Sequence, residues 1–517
     1  MRKIILALMA ASLPLSVTAA PSSVRPGDWP EYGYDSGGGR YSPLTQITPQ
    51  NVNRLQLAWS YHMNPVPSQK QARVPFATTS PLVVDGRMFL GTPYGRVVAL
   101  DATTGKQLWA YELPTGDQPP FRGLGYWPGD ARHAPRLIFG TLRGRMVALD
   151  AATGAPSKGF GENGMVDTKT PEIMNGLPDA FYGYSAPPVI YKNIAITGSR
   201  VQESPSKGAA GDARAWNVIT GKLEWTFHSI PRPGEKFHET WEDDGWKQRS
   251  GVNIWNMLSV DQARGIAYLP FGAPTFDRYG GDHKGANLFA NSLVAVEAAT
   301  GKYLWHFQTV HHDIWDLDLH TTPVLLTVKK EGKEIPAVAV MNKTAFLFLL
   351  NRVTGEPIYG VTEKPVPPSS VASEKAWPTQ PFPNKPEPMT RMAFDLSEVA
   401  DNTPEHRAIC QGIIDKGQLV GSKMFEPIRD DRTMIRFPGA AGGVTFIGGT
   451  DDARFRAFDS RTGKELWTVK LDYSAHATPI TYQGKDGRQY VAIVATGGSY
   501  LNSPTGGDSL LVYALPK

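Results

Sequence analysis

The sequence predicts an all-β fold, a β-propeller, because one hairpin phrase recurs along the chain and turn-forming residues are frequent. The phrase is an apolar strand, an acidic or polar turn, Thr-Gly and a second strand that often ends in Trp. The 517 residues include 52 glycines and 43 prolines, which suits many short strands joined by tight turns. A two-sheet sandwich is the alternative, but sandwiches do not repeat one hairpin phrase. The repetition therefore favours a propeller with about four strands per blade.

Each copy of the phrase marks one hairpin. The six turn glycines are Gly105, Gly154, Gly221, Gly301, Gly355 and Gly463. Glycine accepts the positive φ that such a turn requires, and the Trp is expected to cap the core between neighbouring sheets. Two further segments are incomplete: LQLAWSY at 55–61 carries Trp59 but lacks a Thr-Gly hairpin before it, and SLLVYAL at 509–515 has a strand without the turn. We expect them to pair in one closing blade, which makes seven blades and leaves no exposed sheet edge.

The N-terminus is typical of export. Residues 1–20, MRKIILALMAASLPLSVTAA, have a basic start, an apolar run and small residues before the predicted cleavage. A membrane anchor is the alternative, but Ser12, Pro14 and Ser16 interrupt the run, which is shorter than the ~20 residues of a span. We therefore expect a signal peptide followed by a single domain over 21–517, located in the periplasm.

Charge and cysteine content exclude other classes. The net charge of +4 gives no nucleic-acid footprint. The single cysteine, Cys410, excludes an intrachain disulfide and a Cys-x-x-Cys-His haem site. One helix is predicted at 403–414, where Pro404 suits the first turn. The Pro- and Ser-rich stretch 361–400 is predicted to be a long surface excursion.

The segment TVHHDIWDLDLHTTP at 309–323 follows a Trp-ended hairpin and is unusually polar for a sheet protein. Burying such residues is costly unless they line a site. One alternative is an Asp-rich turn capped by its own backbone. Another is a transition-metal site at His311 and His312, which is disfavoured because adjacent residues do not share a face on a strand.

This segment resembles the one that carries the catalytic aspartate in the pyrroloquinoline-quinone (PQQ)-dependent dehydrogenases, or quinoproteins. The double His and the Trp-Asp-x-Asp-Leu ending are closest to the membrane glucose, polyol and quinate branch. The resemblance runs from DWPEYGYD at 28–35 to the C-terminus and implies the eight-bladed quinoprotein fold. It implies that Asp316 is the general base and a metal ligand.

Further segments resemble the family in the same order, and each implies a contact with the cofactor. Arg122, in FRGLGYWPGD, would bind a carboxylate of the quinone. Trp255, in SGVNIWNMLSVD, would stack under the quinone ring. Lys343, in VMNKTAFLFLLNR, would touch its C5 oxygen, and the hydroxyl of Ser185, in YSAPPVIY, would contact the cofactor.

The same resemblance implies a metal site. Glu203 falls where the methanol-oxidising branch has a metal-binding glutamate. An expected asparagine ligand is absent, so Thr275 or the Ala273 carbonyl would stand in for it. Calcium is the expected ion, with magnesium or a lanthanide as alternatives. Asp318 accompanies lanthanide use in the methanol branch, but the glucose branch also has it, so it decides little.

Two departures from the family pattern affect the cofactor site. Residues 116–121 lack the vicinal cysteines of many alcohol-oxidising members, and the histidine of the glucose branch falls near Gln118 here. FPGAAGG at 437–443 resembles the start of another blade, but the chain continues directly into VTFIGGTDDARFRAFDS at 444–460. About one blade of the family pattern is therefore missing, and with it a cofactor contact.

These features predict a periplasmic PQQ-dependent dehydrogenase that oxidises an alcohol, polyol, sugar or cyclic hydroxy acid. Electrons would pass to a separate acceptor, either a membrane quinone-linked subunit or cytochrome c, since the chain has no haem motif and no predicted membrane span. Two alternatives remain. One is a quinoprotein-like propeller that has lost activity with the missing blade, and the other is a propeller scaffold or binding module that never held a cofactor.

Overall fold

The computed structural model describes residues 17–19, 24–64, 77–388, 391–399, 401–434, 446–447, 452–460, 462–497 and 506–517. Within this part of the chain, seven antiparallel sheets follow one another, and we number them as blades 1 to 7. Six of the seven sheets have four strands, and blade 6 has three described strands. The predicted propeller and the predicted number of repeats are confirmed.

The first four blades have consecutive up-and-down strands. Blade 1 comprises Leu82–Val84, Arg87–Thr92, Arg96–Asp101 and Gln107–Glu112. Blade 2 comprises Gly125–Trp127, Arg136–Gly140, Arg145–Asp150 and Met165–Asp167. Blade 3 comprises Val189–Tyr191, Ile194–Thr197, Ala213–Asn217 and Leu223–Phe227. Blade 4 comprises Ser259–Asp261, Ile266–Pro270, Ser292–Glu297 and Tyr303–Gln308.

The remaining blades differ in how they are completed. Blade 5 comprises Val17–Ala19, Val324–Lys330, Lys333–Met341 and Leu347–Asn351. Blade 6 comprises Phe446–Ile447, Arg454–Phe458 and Glu465–Lys470. Blade 7 comprises Gln56–His62, Gly506–Ala514, Gln489–Gly497 and Ile480–Gln483. The strand Val17–Ala19 lies at the end of the predicted signal peptide, and the rest of residues 1–20 is outside the described residues.

Blade 7 joins the two ends of the chain. Gln56–His62 pairs antiparallel with Gly506–Ala514, in a register that sets Gln56 opposite Ala514 and His62 opposite Ser509. The predicted closing blade is therefore confirmed. Because the edge strand of this blade comes from the N-terminal segment, the main-chain groups of the C-terminal strand are paired on both sides.

A Trp from one blade packs on the turn glycine of the next. A methyl group added at Gly105, Gly154, Gly301 or Gly355 would come within 2.7 Å of the indole of the preceding blade. The four indoles belong to Trp59, Trp109, Trp225 and Trp305. These glycines have positive φ, so the turn and the packing both require the missing side chain. The repeated phrase thus sets the contact between blades.

The apolar core lies between neighbouring blades. Separate buried clusters join blade 1 to 2, blade 2 to 3, blade 3 to 4 and blade 4 to 5, and one more joins blades 6, 7 and 1. Among the described residues, no such cluster joins blade 5 to blade 6. Gly463, the turn glycine of blade 6, also has no described atom within 4 Å of an added methyl group. This junction is where the sequence lacks a blade, and the segment 437–443 lies outside the described residues.

The described residues between blades 5 and 6, from 361 to 434, form short strands, a 3-10 turn and one helix, and they do not form a blade. The predicted helix is observed at Pro404–Gly417, where the side chain of Thr403 accepts a hydrogen bond from the backbone N–H of His406. The other elements here are short, namely Val361–Pro365, Thr379–Pro383, Ala393–Phe394, the 3-10 turn Leu396–Glu398, Leu419–Val420, Ser422–Lys423 and Thr433–Met434. In the described chain, no helix has the length and apolarity needed to cross a bilayer.

Three small elements lie outside the blades near the N-terminus and in the loops of blades 3 and 4. They are the 3-10 turns Val52–Arg54 and His238–Thr240 and the two-residue pairing of Tyr182–Gly183 with Arg200–Val201.

Candidate active site

The loop after the last strand of blade 4 is organised by Asp313. Its buried carboxylate accepts hydrogen bonds from the backbone N–H groups of Trp315 and Leu317, at 2.8 and 2.7 Å, and from the amide of Asn291 at 2.8 Å. Burial raises the pKa of Asp313 to about 6, although these hydrogen bonds oppose the shift. The alternative of an Asp-rich turn capped by its own backbone therefore applies to Asp313. The carboxylate of Asp316 takes no part in this capping.

Asp316 lies at the tip of this loop and bonds to Lys343. Its Oδ1 is 2.5 Å from Nζ of Lys343, and its backbone has a φ of 65°. A non-glycine residue in this left-handed region is strained, and such residues cluster at functional sites. The structure thus joins the predicted base and the predicted quinone-contacting cation, although they are separated by 27 residues.

Lys343 also bonds to a second carboxylate. Its Nζ lies 2.7 Å from Oδ2 of Asp318. The other oxygen of Asp318 accepts the backbone N–H of Ala273 at 2.6 Å, and Oδ2 accepts the indole N–H of Trp255 at 3.2 Å. Asp318 therefore contacts Lys343, Trp255 and the backbone of Ala273, which follows the second strand of blade 4.

The two carboxylates around Lys343 have different proton affinities. Burial raises the pKa of Asp316 to about 7, the charge of Asp318 adds to this shift, and Lys343 opposes it. Burial also disfavours ionisation of Asp318, but the charge and hydrogen bond of Lys343 outweigh it and lower the pKa. Lys343 itself is partly desolvated, yet the two carboxylates raise its pKa. Of the two carboxylates, Asp318 is therefore the one that stays ionised at neutral pH, and Asp316 is the one that can take a proton there.

The half-buried indole of Trp255 lies beside this network. Its ring stacks on that of His320, with centroids 5.8 Å apart and an angle of 12° between the planes. Arg122 lies 5.0 Å from the indole centroid and donates to the carbonyl of Trp255 at 3.1 Å. Ser185 donates its hydroxyl to the same carbonyl at 2.6 Å. All four predicted cofactor-binding residues therefore lie in one network, which is linked to Asp316 through Lys343.

Polar atoms around Trp255 are left without partners among the described residues. The hydroxyl of Ser199, the side-chain carbonyl of Asn256 and the hydroxyl of Thr79 are buried and unpaired. Asn256 is adjacent to Trp255, the backbone N–H of Ser199 bonds to Ile254, and Thr79 lies beside the loop of Arg122. Buried polar atoms are normally satisfied. The site thus fits a ligand that is planar and rich in polar atoms, as PQQ is.

The predicted metal ligands form a looser group. Glu203 is exposed, and Thr275 is buried with its hydroxyl donated to the carbonyl of Ser206 at 2.8 Å. Asp277 is a further carboxylate close to Glu203 and Asp318. Burial raises the pKa of Asp277 to about 6, and the negative charges of Glu203 and Asp318 add to the shift. Within the described residues, no three His, Cys, Asp or Glu side chains gather into a metal site. The donors are oxygens, which suits a hard dication, but the cofactor would have to supply ligands as well.

The adjacent histidines of this segment face different partners, as expected for neighbouring residues. His311 contacts Gln308 at 2.7 Å and Glu363 at 3.1 Å. His312 is buried and contacts Asn287 and the carbonyl of Gly285, both at 2.9 Å. The structure therefore gives no support to a transition-metal site that uses both.

Sequence reasoning missed four residues of this site. Asp318 had been given little weight, and His320, Asp277 and Arg278 had no assigned role. Asp318 and His320 follow Asp316 at spacings of two and four, so the alternation of side chains in the segment was an available signal. No sequence signal places Arg278 near Asp316, yet its Nη2 lies 4.0 Å from Oδ2 of that residue.

Comparison with known proteins identifies similar chains. A family model described as the PQQ β-propeller domain of glucose/ethanol/alcohol dehydrogenases matches residues 29–445 and 440–491. Quinoprotein glucose dehydrogenase A of Acinetobacter calcoaceticus is 27% identical over 97% of this chain and 81% of its own. Quinoprotein glucose dehydrogenase of Escherichia coli is 32% identical over 83% of this chain, but this match spans only 55% of the relative.

Two more proteins extend the comparison. The quinate/shikimate dehydrogenase (quinone) of Acinetobacter baylyi is 27% identical over 95% of this chain and 79% of its own. The structure of a quinohemoprotein alcohol dehydrogenase from Pseudomonas putida superposes with a TM-score of 0.69, at 23% identity, over 95% of this chain and 80% of that one. At this identity, the structural similarity supports the fold alone.

Proposed function

Because this chain belongs to the PQQ-dependent dehydrogenase β-propeller family, we propose that it oxidises a CH–OH group of a polyol, sugar or cyclic hydroxy acid. The observation that carries the proposal is the network in which Lys343 contacts Asp316 and Asp318 while Asp318 accepts from Trp255. A scaffold propeller has no use for a half-buried lysine between two carboxylates beside unpaired polar atoms.

The quinone would lie against Trp255. Arg122, whose planar guanidinium suits a carboxylate, would bind an acidic group of the cofactor. The hydroxyl of Ser185 and the ammonium of Lys343 would bind its oxygens, and the charge of Lys343 would stabilise negative charge that develops there. When bound, PQQ supplies the two-electron acceptor, and the protein supplies orientation and charge.

Asp316 would take the proton of the substrate hydroxyl. Lys343 bonds to Oδ1 of this carboxylate, so Oδ2 is the oxygen that would accept the proton. Lys343, 2.5 Å away, holds the carboxylate in place. Asp318 keeps Lys343 charged by remaining ionised itself.

A dication would complete the site. Glu203, Asp316 and the oxygen atoms of Thr275 are the proposed ligands, and Asp277 is close enough to share the charge. Calcium is the expected ion, with magnesium or a lanthanide as alternatives. A bound dication would relieve the mutual repulsion of these carboxylates.

We further propose a periplasmic location after removal of residues 1–20, which would leave blade 5 with its three strands between Val324 and Asn351. Electrons would pass to a separate membrane quinone-linked subunit or cytochrome c. These proposals rest on the N-terminal pattern and on the lack of a Cys-x-x-Cys-His motif.

The test is reconstitution of the purified protein with PQQ and calcium. Uptake is followed through the change in the quinone absorbance, and dye-linked turnover is measured on a panel of sugars, polyols and hydroxy acids. Saturable uptake together with turnover of at least one substrate class supports the proposal. Uptake without turnover favours the impaired propeller, and the absence of both favours a scaffold.

A further inference from the structure

A cavity of about 320 Å³ lies beside the loop that carries Asp316. Trp315 and Leu317, the neighbours of Asp316 in sequence, form its floor, and residues 422–434 form its outer wall. Arg278 lies at its edge, where its Nη2 is 4.0 Å from Asp316 Oδ2. Small-molecule sites typically begin near 300 Å³, so the cavity has room for a ligand with about the size of a six-carbon sugar or ring.

The outer wall is fixed firmly to the catalytic loop. Phe425 is buried and packs edge-on against Trp315, with ring centroids 5.5 Å apart. The indole N–H of Trp315 donates to the carbonyl of Glu426 at 2.8 Å. Phe346 and Phe382 complete this aromatic cluster, at 6.1 and 5.5 Å from Phe425. The segment that fills the gap between blades 5 and 6 is thus positioned relative to Asp316 within one packed unit.

The cavity carries an excess of positive charge. Arg278, Lys423 and Arg432 line it, against the single carboxylate of Glu426, whose Oε2 already accepts the backbone N–H of Lys423 at 3.0 Å. The shortest ion contacts of Arg278 and Arg432 with described residues are both 4.0 Å. Both guanidinium groups therefore keep donors for a ligand, and the local field favours an anion.

We propose that this cavity selects hydroxy acids: Arg278, supported by Arg432, binds the carboxylate of the substrate while its hydroxyl lies at Asp316. The inference rests on the proposed function and names its substrate class. In the reaction, Asp316 would take the hydroxyl proton, and the hydrogen on the same carbon would leave with its two electrons to the proposed quinone acceptor, so a secondary alcohol would become a ketone. The carboxylate is unchanged and serves only for recognition.

The test compares an anionic substrate with its neutral analogue. Quinate and its methyl ester share the ring and hydroxyl groups and differ in the charge of one group, so the ratio of their kcat/KM values measures charge selection. Holoenzyme reconstituted with PQQ and calcium should prefer quinate. Arg278→Gln should raise KM for quinate about 10- to 100-fold, the effect of losing a charged hydrogen bond, and should raise KM for the ester much less, so the ratio of the two kcat/KM values should fall.

A matched control lies on the same wall. Arg429 pairs with Asp431 at 2.8 Å and does not line the cavity, so Arg429→Gln should leave the ratio for the two substrates as it is in the parent. The PQQ affinity of Arg278→Gln should also equal that of the parent. A parent without preference for quinate, equal losses on both substrates, or weakened PQQ binding in Arg278→Gln would each overturn the proposal.

Failure of the proposed function has a different signature. A parent that takes up no PQQ and oxidises neither compound contradicts the dehydrogenase assignment. Calorimetric titration with quinate then tests by itself whether the cavity binds a carboxylate. Binding of quinate that is weakened by Arg278→Gln and not by Arg429→Gln still supports the anion site. Absence of quinate binding overturns it.

Discussion

The ammonium group of Lys343 lies 2.5 Å from the carboxylate of Asp316. This contact joins a loop after blade 4 to a residue between two strands of blade 5, and it defines where proton transfer is expected. A second contact of the same ammonium, to Asp318, leaves one carboxylate ionised and the other able to accept a proton.

Replacing the proposed base should impair chemistry more than cofactor binding. Asp316→Asn keeps the shape and one oxygen but removes the proton acceptor, so PQQ uptake should persist while turnover falls by about 10²–10⁴-fold. PQQ titration followed by dye-linked turnover measures both quantities. A variant that turns over like the parent would rule out Asp316 as the base.

Removing the indole of Trp255 should impair PQQ binding more than the chemical step, the reverse of what is expected for Asp316→Asn. Trp255→Ala deletes the indole that lies against His320 and beneath Arg122, so PQQ affinity should fall about tenfold. Trp255→Phe keeps an aromatic face and should retain most of that affinity. Equal affinities for all three proteins, measured by quinone titration, would show that the cofactor does not stack there.

The pair formed by Asp318 and Lys343 should contribute to stability. Asp318→Asn leaves a partly buried lysine with one partner fewer, and the free energy of unfolding should fall by about 1–3 kcal/mol. Asp244 forms a matched exposed pair with Lys247, also at 2.7 Å, and Asp244→Asn should change it by less than about 1 kcal/mol. Urea unfolding of both variants gives the comparison, and equal losses would contradict a buried role.

Gly301 should tolerate alanine less well than Gly463. Both have positive φ, near 70°, so alanine strains each turn by about 1–2 kcal/mol. At Gly301 the new methyl group would also meet Trp225 at 2.7 Å, whereas at Gly463 no described atom lies within 4 Å. Gly301→Ala should therefore lose about 1–3 kcal/mol more, as measured by denaturant unfolding. A similar loss for both would mean that the Trp contact does not hold the blades together.

Stability should fall below neutral pH because of a buried histidine pair. His283 and His312 both direct Nδ1 to Oδ1 of Asn287, and neither Nε2 has a partner among the described residues. Burial, followed by the charge of His312, lowers the pKa of His283 to about 4, below the unfolded value of about 6.5. The unfolded chain therefore binds the proton first, so stability is complete above about pH 6.5 and is lost as the pH falls toward 4.

His283→Gln removes one of these titrating groups. Its free energy of unfolding, measured in urea between pH 4.5 and 7.5, should depend less on pH than that of the parent, even if it is lower at pH 7.5. Parallel pH profiles for the two proteins would contradict the assignment.

The propeller could be predicted from the sequence because its signals are local. A turn glycine, the polar residue before it and a Trp on the next strand all lie within one hairpin, and the hairpin repeats. The pairing of the two chain ends followed from the same logic, since each supplied the half of a blade that the other lacked. Asp316 and Lys343, whose contact the structure shows, could also be selected from the sequence, because the family motifs that carry them are short continuous segments.

The tertiary structure alone decided how these segments meet. Asp318 bonds to Trp255 from 63 positions away, and Arg278 reaches Asp316 from a different loop. The cavity wall at 422–434 comes from a stretch for which the sequence predicted no element, after the predicted surface excursion at 361–400 and the predicted helix at 403–414. Such contacts depend on how the blades are arranged around the ring and on what fills the gap between blades 5 and 6. The spacing of residues along the chain reflects only the local periodicity of each strand and turn. It therefore predicts neither the arrangement of the blades around the ring nor the segment that fills the gap.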